Sequence, residues 1–159
     1  MTILPVGLAA ALAACTPNAQ PAQPARPAAG EPAGQAQSGL ERVPLAIRSA
    51  TGTHRFTVDV ARTPWQQERG LMFVRSLAPD RGMIFPYDPP QPVSFWMKNT
   101  LIPLDMVFIR ADGTIARIAT ARPLDETPVP SGEAIAAVLE IRGGLAAELG
   151  IRPGDTVEW

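Results

Sequence analysis

The stretch His54-Arg55-Phe56-Thr57-Val58-Asp59-Val60 decides the fold class of this chain. Phe56, Val58 and Val60 alternate with polar residues, and a period of two places these apolar side chains on one face of an extended strand. The pattern therefore predicts a β-strand with one face in the core and the other in solvent.

Six further short runs have the composition of strands, and segments rich in proline and glycine join them. Asp112-Gly113, between two of these runs, is a preferred dipeptide of two-residue hairpins. The runs predict strands at residues 83–85, 93–97, 104–109, 114–119, 136–141 and 156–159.

A short helix is predicted directly after the first strand. Thr63 can cap it, Pro64 fits its first turn, and Gln66 completes a capping box three residues after the cap. Gly70 can end the helix in the left-handed conformation. The helix is therefore expected to begin after Thr63 and to stop at Gly70.

A second helix is predicted at residues 145–149, because Gly143-Gly144 precede this run and Gly150 follows it. Many short strands with only two brief helices lack the strand and helix alternation of a doubly wound sheet. The prediction is an all-β domain with one or two short helices, folded as a compact antiparallel sandwich or small barrel. This single domain is expected to cover residues 43–159.

The part of the chain before this domain has a different composition. All nine aromatic residues lie between Phe56 and Trp159, whereas residues 16–38 are almost wholly Ala, Pro, Gln and Gly. Such a segment cannot bury enough apolar surface to offset the entropy of ordering it. Residues 15–42 are therefore predicted to form a disordered tether.

Residues 1–14 resemble a lipoprotein signal peptide. Residues 3–14 form an apolar run that suits a signal-peptide core and is too short to cross a bilayer as a mature helix. The run ends in Leu12-Ala13-Ala14-Cys15, which resembles the bacterial lipobox. The resemblance implies that Cys15 is lipidated, and Thr16 after it favours the outer membrane. We therefore expect a periplasmic domain whose partner, through this lipid, is the membrane.

Charge and composition exclude several classes of function. Fourteen basic and fifteen acidic residues leave a net charge of -1, which provides no field to attract a polyanion, so no nucleic-acid partner is expected. One cysteine and one histidine exclude a disulfide framework and the usual zinc sites. Neither a metal site nor a cofactor is predicted.

The candidate functional segment is Phe95-Trp96-Met97-Lys98-Asn99-Thr100-Leu101-Ile102-Pro103-Leu104-Asp105-Met106-Val107-Phe108-Ile109. Its charges are Lys98 and Asp105, and a charge beside a buried strand must be paired or must reach a cavity. Lys98 is also the only lysine of the chain, since every other basic residue is arginine. This exception suggests that a compact ammonium is required at this position.

Two interpretations of this segment remain open. In one, Lys98 and Asp105 form a structural ion pair. In the other, Trp96, Lys98, Asn99, Thr100 and Asp105 line a ligand pocket. In an extended strand Trp96, Lys98 and Thr100 would project to one side, and this combination suits a small anionic or sugar-like ligand.

The residues show no recognisable pairing of a nucleophile with a base, so a non-catalytic ligand-binding module is favoured over an enzyme. The alternative is an enzyme that acts on a cell-envelope substrate, with Lys98 and Asp105 in its active site. A purely structural interaction domain is a further alternative.

Four methionines and one arginine allow other interpretations. Thioethers can bind Cu(I) in an exported protein, although methionine also fills irregular gaps in a β core, which is the simpler explanation. The methionines are Met72, Met83, Met97 and Met106.

Arg69 can form an ion pair with Glu68, Asp59 or Glu140, or it can hold an anion. An ion pair is the favoured interpretation because such pairs are common at protein surfaces.

Six motifs resemble those of the bacterial and archaeal domain-of-unknown-function family 192. They occur in the order and approximate spacing of that family, and the likeness covers nearly all of Phe56 to Val157. The resemblance implies a compact, mostly β domain that is often exported or lipid-anchored, and it implies no activity. The motifs are Glu68-Arg69-Gly70-Leu71-Met72, Gly82-Met83-Ile84-Phe85, Phe95-Trp96-Met97-Lys98-Asn99-Thr100, Leu104-Asp105-Met106, Val138-Leu139-Glu140 and Gly154-Asp155.

Overall fold

The structure, a computed structural model, describes Met1 and residues 39–159. The predicted signal peptide, Cys15 and most of the predicted tether lie outside the described residues. The lipid anchor and the tether therefore stay predictions.

Nine strands and two short helices make up the described residues, so the prediction of a mainly β fold is confirmed. In chain order they are β1 (Arg42–Ser49), β2 (Gly52–Val60), α1 (Pro64–Arg69), β3 (Arg81–Gln91), β4 (Ser94–Phe95), β5 (Leu104–Ile109), β6 (Ile115–Ala121), β7 (Val129–Pro130), β8 (Ile135–Arg142), α2 (Leu145–Leu149) and β9 (Thr156–Glu158).

Seven strands form one sheet in the order β6-β5-β8-β3-β2-β1-β9, and β4 pairs with β7 in a separate ladder. Neighbouring strands run antiparallel except β2 and β3, which are parallel. Residues 61–80, which include α1, carry the chain back to the opposite end of the sheet before β3 begins, as a parallel pair requires. The sheet is therefore mixed, whereas the sequence predicted an antiparallel sandwich or small barrel.

The sheet curls into a half-barrel that brings its two edges together. Thr114, just before β6, bridges Thr156 of β9, and the backbone N–H of Ile115 donates to the carbonyl of Asp155 at 2.8 Å. Ile115 and Val157, from opposite edges, belong to the same buried cluster. That cluster therefore fills the concave side of the sheet.

A second buried cluster lies on the other face of the same strands. On β5, Val107 belongs to the concave cluster whereas Met106 and Phe108 belong to the second, as strand alternation requires. Leu71 and Met97, from the connections around α1 and before β5, cover this second cluster. The connections that cover the outer face also carry the candidate functional residues.

The first helix has the predicted local structure. The Thr63 hydroxyl accepts a hydrogen bond from the Gln66 N–H at 3.2 Å, and the Gln66 side chain accepts one from the Thr63 N–H at 2.9 Å. Pro64 begins the helix, and Gly70 ends it with a φ of 45°. The predicted capping box is confirmed.

The second helix covers residues 145–149 as predicted, with Gly144 and Gly150 both left-handed. Among the described residues, no helix is long and apolar enough to cross a bilayer.

The strands differ from the prediction mainly at their ends. β5 is as predicted. The hairpin forms where Asp112-Gly113 predicts it, but its loop has three residues, 111–113, because the Arg110 N–H donates to the Thr114 carbonyl and Gly113 takes a left-handed φ of 82°. β1 and β7 were not predicted, and β1 begins one residue before the expected domain boundary. β3 is much longer than the predicted 83–85. β4 is shorter than predicted, because the chain leaves the ladder after Phe95.

Candidate functional site

A groove of about 250 Å³ lies between α1 and the segment that follows β4. Two tryptophans flank it, and their side chains are well exposed: Trp65 by 66% and Trp96 by 45%. Large exposed aromatic side chains around a concavity are typical of ligand sites. The groove is lined by Trp65, Glu68, Arg69, Met72, Trp96, Lys98 and Asn99.

A smaller pocket of about 40 Å³, which we call the inner pocket, adjoins the groove and extends towards the sheet. The two cavities share Trp96 and Lys98 on one wall and Arg69 on the other. Since about 10–15 Å³ suffices for one water-sized sphere, the pocket has room for a group of a few atoms. Thr100 and Glu140 lie at this inner end.

A tight turn positions Lys98. The Thr100 N–H donates to the Met97 carbonyl at 3.0 Å, and Asn99 has a φ of 55°, which asparagine tolerates better than most residues. Trp96, Lys98 and Thr100 therefore do not share one face of an extended strand as predicted. The turn instead leaves Lys98 exposed and buries Thr100, which is 5% exposed.

The turn and the connection after α1 hold each other in place. The backbone N–H of Phe73 donates to the Asn99 carbonyl at 2.8 Å, and the Asn99 amide lies 3.9 Å from the Met72 sulfur. Because Phe73 follows Arg69 closely in the chain, these contacts set the spacing between the two walls of the groove.

Two cations face the groove, and within residues 39–159 neither forms an ion pair with a carboxylate. The Lys98 ammonium stands 5.0 Å from the centre of the Trp96 ring, and the Arg69 guanidinium carbon lies 5.1 Å from the Phe73 ring. The ion pairs of the described residues join other groups. The favoured interpretation of Arg69 as a member of an ion pair is therefore wrong.

Asp59, one of the partners considered for Arg69, is buried on the outer face of β2. Its carboxylate lies 2.9 Å from Arg42 and 3.4 Å from Arg81. Because these two arginines form ion pairs with Asp59, Asp59 is not the partner of Arg69, whose side chain lines the groove.

Asp105 lies away from the groove, on the concave face of β5. Its side chain is 1% exposed and accepts hydrogen bonds from the N–H groups of Gly144 at 3.0 Å and Ala146 at 2.9 Å, and from the Thr120 hydroxyl at 2.6 Å. The described residues contain no ion pair between Asp105 and Lys98. The structure therefore does not form the ion pair that one interpretation predicted, because the two side chains lie on opposite faces of the sheet.

The structure brings four of the five predicted site residues to one place. Trp96, Lys98 and Asn99 line the groove, and Thr100 lines the inner pocket. Asp105 stands apart from them and orients α2. Ligand binding by these residues stays a prediction.

Glu140 is a member of the inner pocket that the sequence did not single out as a site residue. It lies in the middle of β8, is 4% exposed, and burial raises the pKa of its carboxyl to about 8. No hydrogen bond or ion pair from residues 39–159 reaches this carboxyl group. The signal in the sequence was a single carboxylate within the apolar run 135–141.

The methionines considered for Cu(I) occupy two environments. Met83, Met97 and Met106 are almost completely buried in the second cluster, and Met72 lines the groove. Within the described part of the chain, no group of three or more His, Cys, Asp or Glu residues could hold a metal ion. Copper binding stays an alternative, and the buried positions favour core packing.

The solved structures that are similar to this chain include the following two. One is a protein of unknown function from Novosphingobium aromaticivorans DSM 12444, with 49% sequence identity and a TM-score of 0.76, covering 82% of this chain and 94% of its own. The other is a putative transcription regulator from Sinorhizobium meliloti 1021, with 44% identity and a TM-score of 0.74, covering 77% of this chain and 96% of its own.

No protein of curated function matches this sequence. The sequence profile of the DUF192 family, described as "Uncharacterized ACR", matches residues 46–159. These residues include both cavities and nearly the whole sheet. The resemblance seen in the sequence motifs is thus confirmed, and the chain belongs to the DUF192 family.

Proposed function

We propose that this domain is a ligand-binding module whose groove takes a small anionic molecule without transforming it. The observation that carries the proposal is a pair of cations, Lys98 and Arg69, that form no ion pair within residues 39–159 and lie beside the exposed rings of Trp65 and Trp96. A groove of about 250 Å³ suits part of a metabolite or a single sugar ring.

Charge favours an anion over a neutral ligand. Glu68 also lines the groove, and the two cations outnumber this carboxylate. Aromatic rings at the rim offer a flat surface on which a sugar or aromatic ring can stack. An acidic sugar combines both features, and it is the ligand class that the groove fits best.

An enzyme that acts on a cell-envelope substrate is the second candidate. The observation that favours it is Glu140, because a carboxyl group with a pKa of about 8 can exchange a proton near neutral pH. Asp105, the carboxylate first considered for this role, already accepts three hydrogen bonds on the opposite face of the sheet.

The location of the module is part of the proposal. The lipobox-like sequence before Cys15 supports a lipid anchor, and residues 16–38 would let the domain stand clear of the membrane surface. Cys15→Ser is expected to release the protein from the membrane fraction of cells, whereas Ser38→Ala is expected to leave it there. Membrane retention of the Cys15→Ser variant would contradict the anchor.

Binding is tested by NMR on the full chain, using the indole N–H signals of its three tryptophans. The probes are glucuronate, benzoate and glucose, which separate negative charge from ring shape. We expect both anions to shift the Trp65 and Trp96 signals in a saturable way, and neutral glucose to act weakly. Trp159 lies in a different cavity and serves as an internal control.

The contribution of the cations is tested with Lys98→Met and Arg69→Met. Loss of one charge-assisted contact is expected to weaken glucuronate binding roughly tenfold or more. Arg152→Met removes an exposed cation remote from the groove and is the matched control. The proposal is contradicted if Lys98→Met and Arg69→Met bind glucuronate as tightly as Arg152→Met does, or if no probe binds. Conversion of a probe or of a cell-wall fragment to product favours the enzyme.

A further inference from the structure

We infer that Glu140 forms the inner end of this binding site, where its carboxylic acid donates a hydrogen bond to the buried end of the anionic ligand. The inference rests on the proposed function and specifies that Glu140 is protonated in the bound state. The ligand is then an anion whose acceptor oxygen enters the inner pocket. The groove then holds the rest of the ligand between Trp96 and the two cations.

The Glu140 carboxyl is buried with no partner among the described residues. It is 4% exposed, and no hydrogen bond or ion pair from residues 39–159 reaches it. A buried polar group in this state costs about 1–3 kcal/mol, and native proteins rarely keep one without a use. The other buried carboxylates, Asp59 and Asp105, are both satisfied.

The position of this carboxyl leaves one direction open to a ligand. Its neighbours in strand register are Met83 on β3 and Met106 on β5, so the sheet on either side of it offers thioethers in place of hydrogen-bond donors. The inner pocket, which it lines with Thr100 and Lys98, is the open direction. A ligand group of a few atoms fits the pocket volume of about 40 Å³.

The titratable and charged groups around Glu140 explain which protonation state is available. Lys98, Glu68 and Arg69 share its pocket from the turn and from α1. Tyr87 on β3 is held neutral, since burial and the charge of Glu140 raise its pKa to about 12. Met83 and Met106 bring no charge. Lys98 and Arg69 do not lie within ion-pair distance of the carboxyl, so desolvation dominates and keeps Glu140 protonated at neutral pH.

A protonated carboxyl can donate a hydrogen bond, whereas a carboxylate can only accept one. A bond from the neutral acid to an anionic oxygen is charge-assisted and therefore strong. Once Glu140 loses its proton, the donor is gone and two negative charges face each other. Anion affinity should therefore be constant below pH 8 and fall by up to about tenfold for each pH unit above it.

The test measures the dissociation constant of benzoate, which stays ionised throughout, between pH 6 and pH 9.5 with the full chain. In the wild type we expect affinity to decline above about pH 8. Glu140→Gln keeps a neutral donor. It is therefore expected to bind benzoate at pH 6, and its affinity should not decline above pH 8. Glu140→Leu has no donor and is expected to bind roughly tenfold more weakly at pH 6.

A measurement on the unaltered protein makes the test independent of folding in the variants. The carboxyl carbon signal of Glu140 is followed by NMR against pH, with and without saturating benzoate. We expect the bound ligand to raise the pKa of Glu140, because binding to the protonated form and protonation are linked.

The outcomes separate the two proposals. If benzoate binds and depends on Lys98 while the titration of Glu140 does not move, the role of Glu140 is overturned and the groove remains a binding site. An affinity that rises with pH also overturns it, because it indicates a ligand held by the carboxylate. If no probe moves the Trp65 and Trp96 signals at pH 6, both proposals fail together.

Discussion

Asp105 and Glu140 are buried carboxyl groups on neighbouring strands, and their surroundings are opposite. Met106, the residue next to Asp105, pairs in register with Glu140 and shares its face of the sheet. The side chains of Asp105 and Glu140 therefore lie on opposite faces. Asp105 accepts three hydrogen bonds, two of them from the amides at the start of α2. Glu140 accepts none from the described residues. Burial alone therefore does not assign a role; the presence or absence of partners separates a structural carboxylate from a candidate site.

The largest expected effect concerns the satisfied carboxylate. Asp105→Ala leaves the Gly144 and Ala146 amides without their acceptor, and it is expected to lower the free energy of unfolding by about 4–5 kcal/mol. Urea denaturation at pH 7 measures this loss. Asp105→Asn keeps one acceptor oxygen and should lose less than Asp105→Ala. If both variants are as stable as the wild type, the three hydrogen bonds do not stabilise the fold.

The second expected effect concerns the unsatisfied carboxyl of Glu140. Its substitution is expected to raise the free energy of unfolding, whereas substitution of Asp105 lowers it. The folded protein raises the pKa of Glu140 from 4.5 to about 8, so between these values the folded state holds a proton that the unfolded state has released. Stability must therefore fall as pH rises through this range and level off above it. Glu140→Gln removes this dependence and should be more stable than the wild type by about 3 kcal/mol at pH 9, after allowance for burying an amide.

Urea denaturation at pH 5 and pH 9 measures this difference for the wild type and Glu140→Gln. At pH 5 the advantage of Glu140→Gln should be lost, because Glu140 is then protonated in the folded state and both side chains are buried without charge. Replacement of an exposed carboxylate, as in Glu126→Gln, is the control and should change stability by a similar small amount at both pH values. A wild type that is equally stable at pH 5 and pH 9 would show that Glu140 ionises freely.

The smallest effect compares how the two helices are capped. α2 is capped by Asp105 from a distant strand, whereas α1 is capped locally by Thr63. Thr63→Ala is expected to lower the free energy of unfolding by about 1 kcal/mol, well below the effect of Asp105→Ala. Thermal unfolding of Thr63→Ala and of Thr63→Ser, which retains the hydroxyl, checks this. Equal losses in Thr63→Ala and Asp105→Ala would remove the distinction between local and distant capping.

Features that depend on a few neighbouring residues were predictable. The capping box of Thr63 and Gln66, the position of the hairpin at Asp112-Gly113 and the limits of α2 were correct, because each requires a particular residue type at a particular backbone position. The parallel pairing of β2 with β3 was not predicted, since it depends on the path of the connection at 61–80.

The candidate site was predicted in part for the same reason. Trp96, Lys98, Asn99 and Thr100 are adjacent in the chain and stay together in the structure. Asp105 is close to them in sequence, but strand alternation places it on the other face of the sheet. Arg69 and Glu140 line the inner pocket from distant parts of the chain, and no local pattern could show that they share it with Lys98.

The amino-acid sequence by itself determined the mainly β class, the two short helices and the segment that carries Lys98. These follow from periodicity and from the conformational preferences of Gly, Pro and capping residues, which act over a few positions. Tertiary structure alone decided which buried carboxyl groups are satisfied and which of these lines a cavity. That outcome depends on which face of a strand is covered and by what, a property of contacts between residues far apart in the chain.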